Sequence, residues 1–398
     1  MSSYHHQKTC LCCGSSNINL IFHLKDAPLT DAYRDNANIA LKCTKYPLNL
    51  MLCRDCNHLQ LAELVLPELS YENYFYNSAV TLNLPANFVE YAKILKSSFD
   101  IENPTLLDVG SNDGSFIKSC INEGIDAYGI EPSKHLAESA NKQGCRTLNG
   151  YFDESVEQGL KTNKFPEKYD IVIFNNVLAN LKNPLQALTN AKEILRDNNS
   201  VIGIQTGYHP IQFSKGLFDY IYHEHYSYFS LKSLSILAMR AGLYLDRYEK
   251  SNLRGGSIRC FLKLQDKNIS IESERFCNQL ENEGLFKLVE LSAKHLKETI
   301  VKLRSDNFKI IGYGASHSTG ILVHQFELQN LLDGLVDENP NKLSKYMPGT
   351  SLAVEKPSTY INKDKICFVV LAWQYYDQIL AKLRESGFQG QIIKPVLP

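Results

Sequence analysis

The chain has 398 residues, 44% hydrophobic and 21% charged, with a formal net charge of −1. That size predicts two or three folded domains with a core large enough to need no disulfides. The balanced charge argues against a nucleic-acid binder, which shows a basic excess or stripe. The longest apolar runs, such as Ile366 to Trp373, are of strand length, so no membrane span is expected. The first residues, MSSYHHQKTC, form no apolar leader. Eleven cysteines in that context predict a reducing, cytoplasmic setting, with cysteine as metal ligand or core filler. A monomer is expected.

Three textures divide the chain into predicted domains at 1–70, 71–247 and 248–398. The first holds six cysteines. Cys10-Leu-Cys-Cys13 and Cys53-Arg-Asp-Cys56 are two CxxC pairs, and the turn in each aims two thiolates at one ion. Together they predict a closed, tetrahedral, structural zinc site with a small β-rich insert between the pairs. Cys12 and Cys43 are left over as spare thiols.

The second region alternates strands and helices. Strands are predicted at Thr105–Val109, Ala127–Ile130, Tyr169–Phe174 and Val201–Gln205. Helices are predicted at Phe116–Glu123, Ser133–Gln143 and Pro184–Leu195. The third region predicts a helix over Leu285–Leu303, a strand at Lys309–Tyr313, a helix over Gly320–Phe326, and strands at Gly334–Val336 and Ile366–Leu371. This alternation implies two α/β units with parallel sheets covered on both faces.

Leu106-Leu-Asp-Val-Gly-Ser-Asn-Asp-Gly-Ser115 is an apolar strand running into a glycine turn that opens a helix. Glycine lets the backbone approach a ligand at the carboxyl end of a parallel strand. The segment lacks both GxGxxG and a P-loop lysine. It resembles motif I of the class I methyltransferases. That resemblance implies that the loop, through Asp108, Gly110, Ser111, Asn112 and Gly114, holds the methionine part of S-adenosylmethionine. It further implies that Glu131, in Tyr128-Gly-Ile-Glu131, grips the ribose hydroxyls. Asn175 and Asn176 would line the methyl-donor pocket. Phe152, in Gly150-Tyr-Phe-Asp153, would meet the adenine end.

Tyr220-Ile-Tyr222-His223-Glu224-His225-Tyr-Ser-Tyr228-Phe-Ser230 has no apolar face at helical or strand period. Its His-Glu-His lacks the spacing of HExxH, so an acid/base cluster is the better reading than a metal site. Taken with the CxxC pairs, Arg254-Gly-Gly-Ser-Ile-Arg259, Gly312-Tyr-Gly-Ala315 and Val336-Asp-Glu-Asn-Pro340, the segment resembles the TylC3-type sugar C-methyltransferases along essentially the whole chain.

This family resemblance implies a zinc-binding module, a class I core and a degenerate Rossmann-like C-terminal domain. The implied reaction is methylation at C3 of a 4-keto-6-deoxy sugar carried on dTDP, with GDP as the alternative nucleotide. His225 would be the general base, and Tyr222, Glu224 and Tyr76 its active-site partners, with Tyr222 and Tyr76 as donors to an enolate. The family's histidine after the fourth strand is Asn180 here. An amide hydrogen-bonds but carries no proton near neutral pH, which points to a different sugar.

Lys309-Ile-Ile-Gly-Tyr-Gly-Ala-Ser-His317 resembles a dinucleotide turn, with Asp337 as its acidic residue, but His317 stands where the third glycine belongs. The turn and the following helix are therefore expected to face the sugar nucleotide, through Tyr313, Ser316 and His317, rather than NAD. His223 and Asn180 are the other expected substrate contacts. The rival functions are an O- or N-methyltransferase acting on a small molecule, and a nucleic-acid-binding or -modifying protein using its zinc ribbon.

Overall fold

The computed structural model describes residues 3–71, 84–99, 101–153, 155–265 and 284–396. The N-terminal residues form β1 (Tyr4–His6), β2 (Ile18–Pro28), β3 (Lys45–Cys53), β4 (Leu59–Leu61) and β5 (Glu63–Val65). β2, β3 and β4 are antiparallel neighbours in one sheet, and β1 pairs with β5. Of these strands β2 and β3 lie between the cysteine pairs, where a β-rich insert was expected.

The central strands are β6 (Thr105–Val109), β7 (Asp126–Glu131), β8 (Thr147–Asn149), β9 (Ile171–Asn175) and β10 (Val201–Gly207). They are parallel, and β6 and β9 read as near-continuous apolar runs because both faces of the sheet are covered. Further along the chain come β11 (Ser227–Tyr228), β12 (Tyr244–Ser251) and β13 (Ser257–Lys263). The seven-stranded order is β12-β13-β10-β9-β6-β7-β8, with β13 antiparallel to both its neighbours. The sheet thus continues past residue 247, the predicted limit of the second region, as far as Lys263.

The third region builds β14 (Lys309–Tyr313), β15 (Gly334–Val336), β16 (Val354–Glu355), β17 (Ile366–Val370) and β18 (Gln391–Ile393). These form a parallel sheet in the order β16-β15-β14-β17-β18. The chain reverses direction between β14 and β17, the topological switch point where open α/β sheets bind ligands beyond the strand ends. The helix after β14 runs His317–Gln325, starting three residues before the predicted Gly320. Ser316 caps it, its hydroxyl accepting from Thr319 N–H at 3.3 Å. Gly320 lies against Thr30, where a Cβ would come within 3.1 Å.

The N-terminal sheet touches both α/β units. Along β4 it pairs with β11, a strand of the aromatic segment. The main chain of β2 is read by Gln325: its Oε1 accepts from Lys25 N–H and its Nε2 donates to the Lys25 carbonyl, both at 2.8 Å. Among the described residues no helix is long and apolar enough to cross a membrane.

Candidate active site and zinc centre

The ligand sulfurs of Cys10, Cys13, Cys53 and Cys56 all lie within 4.8 Å of one another. The Cys10–Cys56 and Cys13–Cys53 pairs are each 3.5 Å apart. A tetrahedron with Zn–S bonds of about 2.3 Å has edges of about 3.8 Å, so the four thiols fit zinc without rearrangement. Hydrogen bonding from Cys56 and burial push the Cys10 thiol up, and burial pushes Cys53 to about 11. Thiols packed this closely need a cation to exist as thiolates. Cys12 instead donates to the Ser233 carbonyl at 3.1 Å, tying the knuckle to the core.

At the carboxyl edge of the central sheet a groove of about 660 Å³ runs past Gly110, Gly150, Tyr151, Phe152 and Val177. Gly110 has φ +73°, and a Cβ there would meet Val177 at 2.8 Å, so the turn requires glycine. Phe152 stands edge-on to Phe174, with ring centroids 5.7 Å apart, and forms part of the groove wall. The groove meets a smaller chamber of about 110 Å³, bordered by Asn112, Glu131, Asn175, Asn176 and Asn180. Asn180 borders both spaces.

Glu131 ends β7 with its carboxylate accepting from Asn112 N–H at 2.9 Å and Ser133 N–H at 2.8 Å. Burial raises it to about 6 against the pull of those two N–H groups. It therefore braces the loop and the start of the following helix, and a carboxylate's remaining lone pairs stay open to a ligand.

Three residues expected at the donor lie elsewhere. Asp108 is sealed under the loop at 2% exposure, and burial drives its carboxyl well above the usual range. Ser111 is buried against Gly129, where a Cβ would come within 2.4 Å of its hydroxyl. Gly114 starts the helix Ser115–Asn122 and backs onto Cys145. These three pack inward, and from this stretch it is Val109, Gly110 and Asn112 that border the cavities.

The far wall of the chamber is the aromatic segment, with Tyr222, Glu224 and His225. Tyr222 Oη is 2.8 Å from His225 Nε2, and His225 Nδ1 faces the Tyr220 carbonyl at 3.3 Å. A carbonyl only accepts, so the proton sits on Nδ1, Nε2 carries a lone pair, and Tyr222 donates to it. Burial, then the His317 charge, pushes His225 down to about 3. His225 is thus a neutral imidazole. His223 departs from expectation: its ring packs edge-on to Tyr46, with Nε2 at 3.2 Å from that residue's carbonyl. The turn closed by His225 N–H on the Tyr222 carbonyl sends successive side chains in different directions. Tyr76 lies outside the described residues.

A third space, about 370 Å³, opens at the switch point of the C-terminal sheet between Tyr313, Ser316, Asp337 and Gln374. It shares Tyr222, Arg254 and His317 with the chamber, so the three spaces run in series. His317 Nε2 lies 3.2 Å from Glu224 Oε1.

Two features escaped sequence reasoning. Arg254 borders two cavities with φ +50° and ψ 42°, a left-handed conformation that is uncommon for a non-glycine residue. Its signal was an arginine ahead of two glycines. Lys342 borders the third space and is paired with Asp31, 311 positions away, a separation that leaves no sequence signal.

The fold and the site define a class I, S-adenosylmethionine-dependent methyltransferase carrying a zinc-binding module. Comparison with known proteins agrees. Three protein-family models match in order: a zinc binding domain over residues 10–71, a methyltransferase domain over 85–248 and a C-methyltransferase C-terminal domain over 252–397. The C-methyltransferase NovU of Streptomyces niveus is 21% identical over 97% of this chain and 95% of its own. Along essentially its whole length, and in the order of its three parts, the chain is similar to C-methyltransferases of this kind.

Two solved methyltransferase structures each cover about half of this chain. Magnesium protoporphyrin IX methyltransferase from Synechocystis PCC 6803 covers 48% of this chain and 91% of its own, at 11% identity and TM-score 0.38. The CcbJ methyltransferase from Streptomyces caelestis covers 48% and 94%, at 13% identity and TM-score 0.36.

Proposed function

We propose that this C-methyltransferase acts on C3 of a nucleotide-linked 4-keto-6-deoxy hexose, with dTDP favoured over GDP, through an enolate. One observation carries the reading: the Tyr222–His225 pair stands where the chamber opens to the donor groove on one side and to the C-terminal cleft on the other. A base there reaches a carbon placed between a methyl donor and a nucleotide site.

S-adenosylmethionine, when bound, supplies an electrophilic methyl group on a sulfonium. The rest is work for this chain. Gly110, Asn112 and Glu131 hold the donor's methionine and ribose, and Phe152 borders its adenine end. The ketone acidifies the C3 proton, and His225 Nε2 accepts it. The Tyr220 carbonyl keeps the imidazole in the tautomer that can do so. Tyr313 and Ser316 hold the nucleotide arm, and Asn180 meets the sugar beside the donor. In this reading residues 1–70, 71–247 and 248–398 are the scaffold, donor and sugar-nucleotide units, with β12 and β13 completing the donor sheet. The zinc module holds the catalytic segment in place through β4 and β11.

The test is incubation with the methyl donor and a panel of nucleotide 4-keto-6-deoxy sugars. A mass gain of one methylene on a carbon supports the reading. Methylation only of non-keto acceptors, on oxygen or nitrogen, overturns it.

A further inference from the structure

Enolate formation leaves negative charge on the ketone oxygen, and a group must meet it. In the free enzyme Tyr222 donates to His225 Nε2 at 2.8 Å, so its hydroxyl must leave that lone pair before the base can take the C3 proton, whereas a group already charged and held elsewhere needs no such movement. His317 is better placed. It borders both the chamber and the C-terminal cleft, and its ring lies 5.2 Å from that of Tyr222. It reaches across from the C-terminal domain to Glu224 of the catalytic segment, with Nε2 and Oε1 3.2 Å apart.

Resting on the proposed function, we infer that His317 is a further catalytic residue: an imidazolium, held by Glu224, that stabilises the enolate oxygen. In this step the C3–H bond breaks and its proton passes to His225 Nε2. The bonding pair becomes the C3=C4 bond, and the carbonyl pair moves to the ketone oxygen beside His317. The carbonyl then re-forms as C3 bonds to the methyl and the methyl–sulfonium bond breaks, leaving a thioether. The proton on His225 goes to solvent.

The surroundings set the charge. Burial pulls the His317 proton off, as does Lys342. Glu224 and, further away, Asp31 outweigh them, and the net shift is upward. Arg254 borders the same two spaces, and His225 feels the His317 charge. His317 also begins the helix His317–Gln325, whose positive end disfavours a cation but adds to the field on an oxyanion. Glu224 is therefore needed to keep the proton, while both the imidazolium and the helix end act on the enolate in the same sense.

The experiment has two arms. Nitrogen-15 NMR of histidine-labelled protein, with His317 assigned from the His317→Gln spectrum, should show a doubly protonated ring at pH 7. That ring should turn neutral in Glu224→Gln. With a keto-sugar substrate, His317→Gln should lower kcat by about 10²–10³-fold, the usual loss of one oxyanion donor, with sugar-nucleotide affinity close to wild type. In the wild type kcat should fall as pH rises through the His317 titration, and that alkaline limb should vanish in His317→Gln. A neutral His317 at pH 7, or a His317→Gln variant with wild-type kcat, overturns the inference alone. A wild type that methylates no keto sugar overturns the proposed function and this role with it, whatever the NMR shows of the ring's charge.

Discussion

The ammonium of Lys342 is buried against the carboxylate of Asp31, so one ion pair joins the C-terminal α/β unit to the turn after β2. Lys342 also donates to the Ala315 carbonyl at 2.8 Å, and Tyr33 Oη donates to the same oxygen at 3.0 Å. Removing one partner strands a charge in a site only 3–6% exposed. Asp31→Asn and Lys342→Met should each destabilise the protein by about 3–5 kcal/mol in urea unfolding. The double variant Asp31→Leu/Lys342→Met should recover much of that loss. Single variants within 1 kcal/mol of wild type would show the pair to be dispensable.

His225→Asn keeps much of the shape and some hydrogen bonding but cannot take the proton. It should lower methyl transfer by at least about 10²–10⁴-fold and abolish deuterium uptake at C3, while both ligands still bind. Because burial depresses His225 to about 3, the neutral, base-competent form is full at pH 7 and persists as pH falls towards that value. NMR of the free enzyme should therefore show no titration of His225 between pH 8 and 5. Full turnover by the Asn variant would move the search for the base to Tyr222 or Glu224.

Glu131 is raised to about 6, so its carboxylate is ionised above that pH and gains a proton as pH falls through it. A protonated carboxyl is a poorer acceptor for ribose hydroxyls. Donor affinity measured by calorimetry should be about tenfold weaker at pH 5 than at pH 7. Glu131→Gln should bind weakly with a flat pH profile, and sugar-nucleotide affinity should change little. An unchanged donor affinity in that variant would remove Glu131 from the ribose role.

Elemental analysis should return about one zinc per chain, lost in Cys53→Ser. Because β11 of the catalytic segment pairs with β4 of the module, loss of zinc should unfold the module and abolish turnover together. A stable, metal-free and fully active protein would contradict this.

The elements read from the sequence were those whose signal is local. Lys309–Tyr313 and Gly334–Val336 appear at the predicted residues because short apolar runs flanked by turn formers leave little choice of strand. β12 was missed because its polar residues break the apolar run: in Tyr-Leu-Asp-Arg-Tyr-Glu-Lys-Ser most side chains stay partly exposed. β13 is almost wholly buried, but its continuous apolar run, Cys260-Phe-Leu262, is only three residues long. The helix at His317 was placed late because its cap, Ser316, was read as part of a nucleotide turn.

The same division runs through the site. Four cysteines in two CxxC pairs announce a metal by spacing alone, since each pair is closed by one turn of chain. A glycine loop after an apolar strand does the same for the donor, because the loop's conformation is local. By itself the sequence therefore determined the zinc ligands, the α/β class and the loop that would hold the donor. Which side chains of Tyr222-His-Glu-His225 enter the chamber depended on the turn and on Tyr46, which draws His223 away. Only the tertiary structure decided that His317 would stand beside Glu224, that Arg254 would border two cavities, and that Lys342 would find Asp31. Those contacts join residues tens to hundreds of positions apart. They exist because the N-terminal sheet touches both α/β units at once, a packing outcome that no local spacing encodes.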